Sequence, residues 1–138
     1  SSAFLMSRAV VPLMRDKGDG RIVNLASIAG RSISSMSALH YSTAKAAILG
    51  FTRKLAFEEG RNGIRVNSVA PGFVFTERVE TRFRALPADE QARRMGEVPL
   101  GRAARPAEIA AATLSLASDD ASYVTGAALD VNGGHFMS

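Results

Sequence analysis

In the stretch HYSTAKAA, residues 40–47, a phenol and an ammonium stand four positions apart, Tyr41 and Lys45. On an α-helix that spacing puts both side chains on one face, a turn apart. An ammonium a few ångströms from a phenol favours the phenolate, so the phenol, whose ordinary pKa is about 10, becomes a usable acid or base nearer neutrality. A half-buried tyrosine with a lysine stem lying along it would leave the same pattern, so the surroundings decide. Ser27 closes the run RIVNLAS one loop upstream, where its hydroxyl can face the same crevice and hydrogen-bond an oxygen that Tyr41 protonates; the plainer role is a loop cap. The run APGFVFT, residues 70–76, offers a sharp turn, then backbone groups and the Thr76 hydroxyl, suited to gripping a planar amide. Its plainer role is to end a strand.

These residues need a scaffold, and the pattern of the chain supplies one. Residues 3–15 read as a helix with Phe4, Leu5, Arg8, Val11, Pro12 and Met14 on the side that packs. KGDGR breaks it, and RIVNLAS reads as a short strand covered on both faces. The helical period returns from about Ser42 to Glu59 with Ala44, Ile48, Phe51 and Leu55, and ends at Gly60. IRVNSVAPG is a second strand. From Phe73 to Gly101 the chain turns polar, with one short helix expected over Ala88–Met95 and few large apolar residues to hold it, the profile of a mobile excursion. Pro106 is placed to open a further helix, and GAALDVNGG is a third strand. Buried strands alternating with helices predict a parallel sheet built from right-handed crossovers, helices on both faces, and ligands beyond the carboxyl ends of the strands. Ser27, PGFVFT and NGG all fall at those ends.

Composition narrows the function classes. The 138 residues have the length of one domain, with 46% hydrophobic and 22% charged residues, the balance of an ordinary globular chain. No apolar run reaches the roughly 20 residues of a membrane span, and the first residues carry no leader pattern, so no membrane and no targeting signal is expected. The absence of cysteine excludes disulfides, thiolate metal sites and a cysteine nucleophile, and fits a cytoplasmic protein. His40 and His135 cannot make a histidine-rich metal centre, and no metal is expected. A net charge of +4 raises nucleic acid as a partner, but the arginines alternate with acids, as in TERVETRFRALPADEQARRMGE, so none is expected.

Taken together, GRIVNLAS, HYSTAKAAILGFTRKLAFE, GIRVNSVAPGFVFT, PLGRAARPAEIAAATLSLASDDASYVTG and LDVNGG resemble the short-chain dehydrogenase/reductase family, in its order and over nearly the whole chain. The likeness is greatest to its 3-oxoacyl-(acyl carrier protein) reductase-like members. It implies an α/β fold, the C-terminal half of a Rossmann-like doubly wound parallel sheet, with residues 1–138 a single partial domain and a substrate lid at about 77–98. It implies hydride transfer between NAD or NADP and a small-molecule carbonyl or alcohol, or a substrate carried on acyl carrier protein. In it Tyr41 is the general acid for reduction and the base for oxidation, Lys45 assists it and bonds the nicotinamide ribose, and Ser27 polarises the carbonyl. Pro71, Gly72, Val74 and Thr76 line the nicotinamide. The helix bearing Tyr41 and the one before it form a dimer face, and the last helix and strand a second face, giving a homodimer or homotetramer.

The pattern also departs from the family's. No glycine-rich pyrophosphate turn occurs, so that turn, the catalytic asparagine and four strands are expected upstream of Ser1. Without them the first strand would show an unpaired edge, and the chain alone is expected to be inactive; a non-catalytic assembly module is the other reading. Tyr41 stands fourteen positions after Ser27, one more than is usual, so the loop between them is expected to bulge. His40 is expected to face solvent. Arg78, Arg82, Arg84, Arg93 and Arg94 form either a docking surface for an acidic carrier or helix faces paired with glutamates.

Overall fold

The structure is a computed structural model that describes residues 2–33 and 37–137. Three parallel strands form one sheet in the order β1 (Gly20–Leu25), β2 (Ile64–Pro71), β3 (Ala128–Val131). Register pairs Gly20 with Ile64 and Leu25 with Val69 across the first ladder, and Ser68 with Ala128 and Pro71 with Val131 across the second. Strand β2 is therefore central and nearly dry, with Ile64, Val66, Val69 and Ala70 fully buried. Among the described residues β1 is paired on one side only, the open edge that the sequence implies.

Helices α1 (Ser2–Lys17) and α2 (Leu39–Glu59) cover one face of the sheet. Val11, Ala56, Ile64 and Val66 meet there, with Met14, Ile22 and Leu55 packed around them. Helix α5 (Pro106–Ala117) lies on the other face, tied to β2 by Arg65, whose guanidinium donates to the carbonyls of Leu116 at 3.0 Å and Ser118 at 2.9 Å. Strand side chains alternate between these faces, which is why Arg65 and Val66 point opposite ways.

The deep stripe of α2 is Leu49, Thr52, Ala56 and Glu59, one residue further on than the apolar period over Ala44, Ile48, Phe51 and Leu55 suggests. Two of its four members are polar and so hide from a hydrophobicity pattern. Thr52 accepts from Asn24 Nδ2 at 3.0 Å, and Glu59 takes Arg15 Nε at 2.8 Å and Asn62 Nδ2 at 3.0 Å, so neither is buried without partners. In α1 the buried residues are Ser7 and Val11, whereas Phe4, Leu5 and Pro12 are exposed; Phe4 meets Phe51 edge to face at 5.9 Å.

The polar segment after β2 contains two helices rather than the one expected: α3 (Glu77–Arg84) precedes α4 (Ala88–Gly96). Aromatic packing replaces the missing aliphatic core. Phe83 is buried against Phe73 at 5.4 Å and Phe75 at 5.2 Å, pinning α3 to the turn that follows β2.

Candidate active site

The site is assembled at the carboxyl end of the sheet. Just beyond β1, Ser27 starts a 3₁₀ turn (Ile28–Gly30) and its Oγ accepts from Ala29 N at 3.2 Å. That bond uses a lone pair and leaves the O–H free to donate. Gly30 presses this turn on α2: a Cβ there would lie 2.6 Å from Lys45 C and Ala46 N, so only glycine lets the serine loop approach the helix at this level.

On α2, Lys45 continues the sheet-facing stripe one turn above Leu49, and Tyr41 stands a further turn above, at the first turn of the helix. Lys45 Nζ donates to the carbonyl of Leu25, the last residue of β1, at 2.7 Å, and lies 5.7 Å from the centre of the Tyr41 ring. Tyr41 is 43% exposed. Ser27, Tyr41 and Gly72 line one cavity of about 160 Å³, walled also by Ile28, Phe73 and His135. The fold thus brings the serine and the tyrosine to one place.

Lys45, Pro71 and Val74 line a second, mostly apolar cavity of about 620 Å³, closed on its far side by Ile109, Thr113 and Leu114 of α5. That volume lies inside the range of about 300–1,000 Å³ typical of small-molecule sites. Gly72 belongs to the first cavity because its backbone rests on Asn132: its N–H donates to Val131 O at 3.1 Å, and a Cβ there would come within 2.7 Å of Asn132 Cβ. Thr76 is exposed and lines neither cavity; its hydroxyl caps α3, accepting from Val79 N at 3.4 Å. The cap uses an acceptor lone pair and keeps the O–H donor available.

His40 is exposed. The loop between Ser27 and Tyr41, where a bulge is expected, includes residues 34–36, which lie outside the described residues. Of the lid arginines, Arg84 pairs with Glu80, Arg93 with Glu90 and Glu97, and Arg94 with Glu90. Arg78 and Arg82, a turn apart on α3, are exposed and have no acidic partner among the described residues. Sequence reasoning passed over Phe73 and His135 as pocket residues. The one available signal was that each follows a strand's carboxyl end, Phe73 after β2 and His135 after β3.

A family model described as Enoyl-(Acyl carrier protein) reductase matches residues 1–135. The chain is 44% identical over 137 residues to the 3-oxoacyl-(acyl-carrier-protein) reductase of Salmonella typhimurium, a match that covers 99% of this chain and 54% of that protein. Among solved structures, a 3-oxoacyl-(acyl-carrier protein) reductase with bound NAD from Brucella melitensis superposes with a TM-score of 0.85 at 40% identity, covering 99% of this chain and 48% of the other. An oxidoreductase of the short chain dehydrogenase/reductase family from Burkholderia thailandensis gives 0.87 at 35% identity, covering 97% and 51%. The chain spans about half the length of the relatives it matches.

Proposed function

The chain belongs to the short-chain dehydrogenase/reductase family, and from that premise we propose that it carries the proton-transfer site of a carbonyl reductase acting on 3-oxoacyl thioesters. The observation that carries this reading is the shared cavity of Ser27 and Tyr41 beyond the strand ends, with Lys45 one helical turn below the phenol. In it, the free O–H of Ser27 donates to the substrate carbonyl oxygen and holds it beside Tyr41. The phenol of Tyr41 gives its proton to that oxygen as negative charge develops there; in the reverse direction the phenolate takes the proton from the alcohol. Lys45, fixed by the Leu25 carbonyl, holds its ammonium on the same helix face, 5.7 Å from the centre of the Tyr41 ring.

The cofactor of this reading is NAD or NADP. When bound, the reduced nicotinamide supplies the hydride that the carbonyl carbon accepts. The cavity beside Lys45 suits its ring, offering apolar walls from Pro71, Val74 and Ile109 and one ammonium for a ribose hydroxyl. The Val74 backbone and the donor of Thr76 are assigned to the carboxamide. Residues 77–98 act as the lid, and Arg78 and Arg82 are the cations left for an acidic carrier protein, since Arg84, Arg93 and Arg94 are held by glutamates on their own helices. We place the enzyme in the cytoplasm, consistent with a cysteine-free chain in which no described helix is long and apolar enough to cross a membrane.

The test is reduction of a 3-oxoacyl thioester by the full-length protein, followed by loss of reduced-nicotinamide absorbance with each dinucleotide in turn. Turnover with at least one is expected; none with either, from folded protein, would remove the reading. A second reading, assembly, is favoured by exposed Phe4, Leu5 and Leu13 on α1 and Phe57 on α2, which suit a homodimer or homotetramer. It accompanies the catalytic reading, since assembly alone gives no reason to bring Ser27 and Tyr41 together.

A further inference from the structure

Beyond β3 the chain makes a tight turn whose geometry is set by Asn132. Its Oδ1 accepts from Gly134 N at 2.9 Å, its Nδ2 donates to Phe136 O at 2.9 Å, and its own carbonyl accepts from His135 N at 3.2 Å. Gly133 and Gly134 both take positive φ, 64° and 86°, and Gly133 O accepts from Leu100 N at 3.1 Å. Next along the chain, the Phe136 ring lies 5.4 Å beneath the guanidinium of Arg31, which belongs to the serine loop and pairs with Asp130 at 3.4 Å. The turn is thus fastened on both sides of His135.

The imidazole held there is a wall of the Ser27 and Tyr41 cavity, and its hydrogen bonding is unfinished. Nε2 lies 3.6 Å from Glu97 Oε2, beyond hydrogen-bond reach, and Nδ1 is buried with no partner. An unmatched buried polar atom is costly, and one at a pocket wall asks for a ligand group. A half-turn about χ2 exchanges the two edges of the imidazole within the same outline, so the position of its nitrogens is set by the partner they meet. Ser27 and Tyr41 between them serve one oxygen, the reacting carbonyl. His135 is therefore spare for a second polar group.

We infer that His135 is a specificity-determining residue that hydrogen-bonds a second carbonyl lying two carbons from the reacting one, the thioester carbonyl of a 3-oxoacyl substrate. This rests on the carbonyl-reductase reading above and adds to it the residue that distinguishes a 1,3-dicarbonyl substrate from a simple ketone. A site built to bond a substrate group discriminates against the analogue lacking it, because its own polar atom is then left unpaired.

The experiment compares the native protein with H135L and H135Q on two substrates, a 3-oxoacyl thioester and the matched ketone in which a methylene replaces the thioester carbonyl. H135L is expected to lower kcat/KM for the thioester about tenfold, mostly through KM, and to change the ketone less than about twofold. H135Q, which restores a hydrogen-bonding group, is expected to recover most of the loss. Equal losses on both substrates, or no loss on either, with thermal unfolding unchanged, would overturn the assignment. Failure of the native protein to reduce either compound would instead bring down the carbonyl-reductase reading and this inference with it.

Discussion

At the scale of single residues, the proposed chemistry rests on hydroxyls that have a free donor. Ser27 is 9% exposed and spends an acceptor position on the Ala29 N–H, so its proton remains for a substrate oxygen. Tyr41 keeps 43% of its surface open, enough to meet a substrate and exchange protons with it. Replacing Tyr41 by Phe in the native protein removes the proposed acid while keeping the ring, so turnover is expected to fall about 10²–10⁴-fold with dinucleotide binding unchanged by titration. Replacing Ser27 by Ala removes one oxyanion donor and is expected to cost about 10²–10³ in kcat. If Y41F retained wild-type kcat, the proton would have to come from elsewhere. Ser27, Tyr41 and Lys45 were singled out by type and spacing together with the family resemblance, and Ser27 and Tyr41 line one cavity in the fold. His135 was not singled out, because its place after a strand's carboxyl end was its one signal, and only the folded turn brings it to the cavity wall.

At the scale of elements, partners explain both the successes and the misses. The α2 stripe was displaced by one residue because Thr52 and Glu59 are buried polar groups whose partners, Asn24 and Arg15, are distant in sequence. Helix α3 escaped notice because its one buried residue, Phe83, packs on Phe73 and Phe75 in the preceding turn rather than on a stripe of its own. Helix α4 is held by charge: Arg93, and after it Arg94, bring the Glu90 carboxyl down to about 2 from an ordinary 4.5. A carboxyl depressed on folding stabilises the folded state fully above its unfolded pKa, and that contribution is lost as pH falls through the folded one. The unfolding midpoint of the native protein should therefore exceed that of E90Q at neutral pH, with the difference shrinking between about pH 4.5 and 2. A difference that stayed constant across that interval would show that Glu90 acts through packing rather than charge.

At the scale of the whole molecule, the described sheet has β2 at its centre and β1 with one edge open, flanked by exposed Leu25 and by Leu114 of α5. Unpaired edges and bare apolar surface drive association. The isolated 138-residue chain is expected to elute from a sizing column above its monomer mass of 14.6 kDa and to show no dinucleotide-dependent turnover. A monodisperse monomer would mean that the edge is tolerated in water, and measurable turnover would mean that these residues suffice for catalysis. The sequence by itself determined the order of the strands and of the helices that cover them, the parallel sheet, and the candidacy of the serine, tyrosine and lysine. Those follow from local periodicity, from turn residues and from a spacing that puts Tyr41 and Lys45 on one helix face. Only the tertiary structure decided what lies opposite them: Gly30 pressed against Lys45, Gly72 against Asn132, Phe83 among the phenylalanines and His135 in the cavity wall. Each depends on atoms far apart in the chain, and no local pattern encodes where two loops meet.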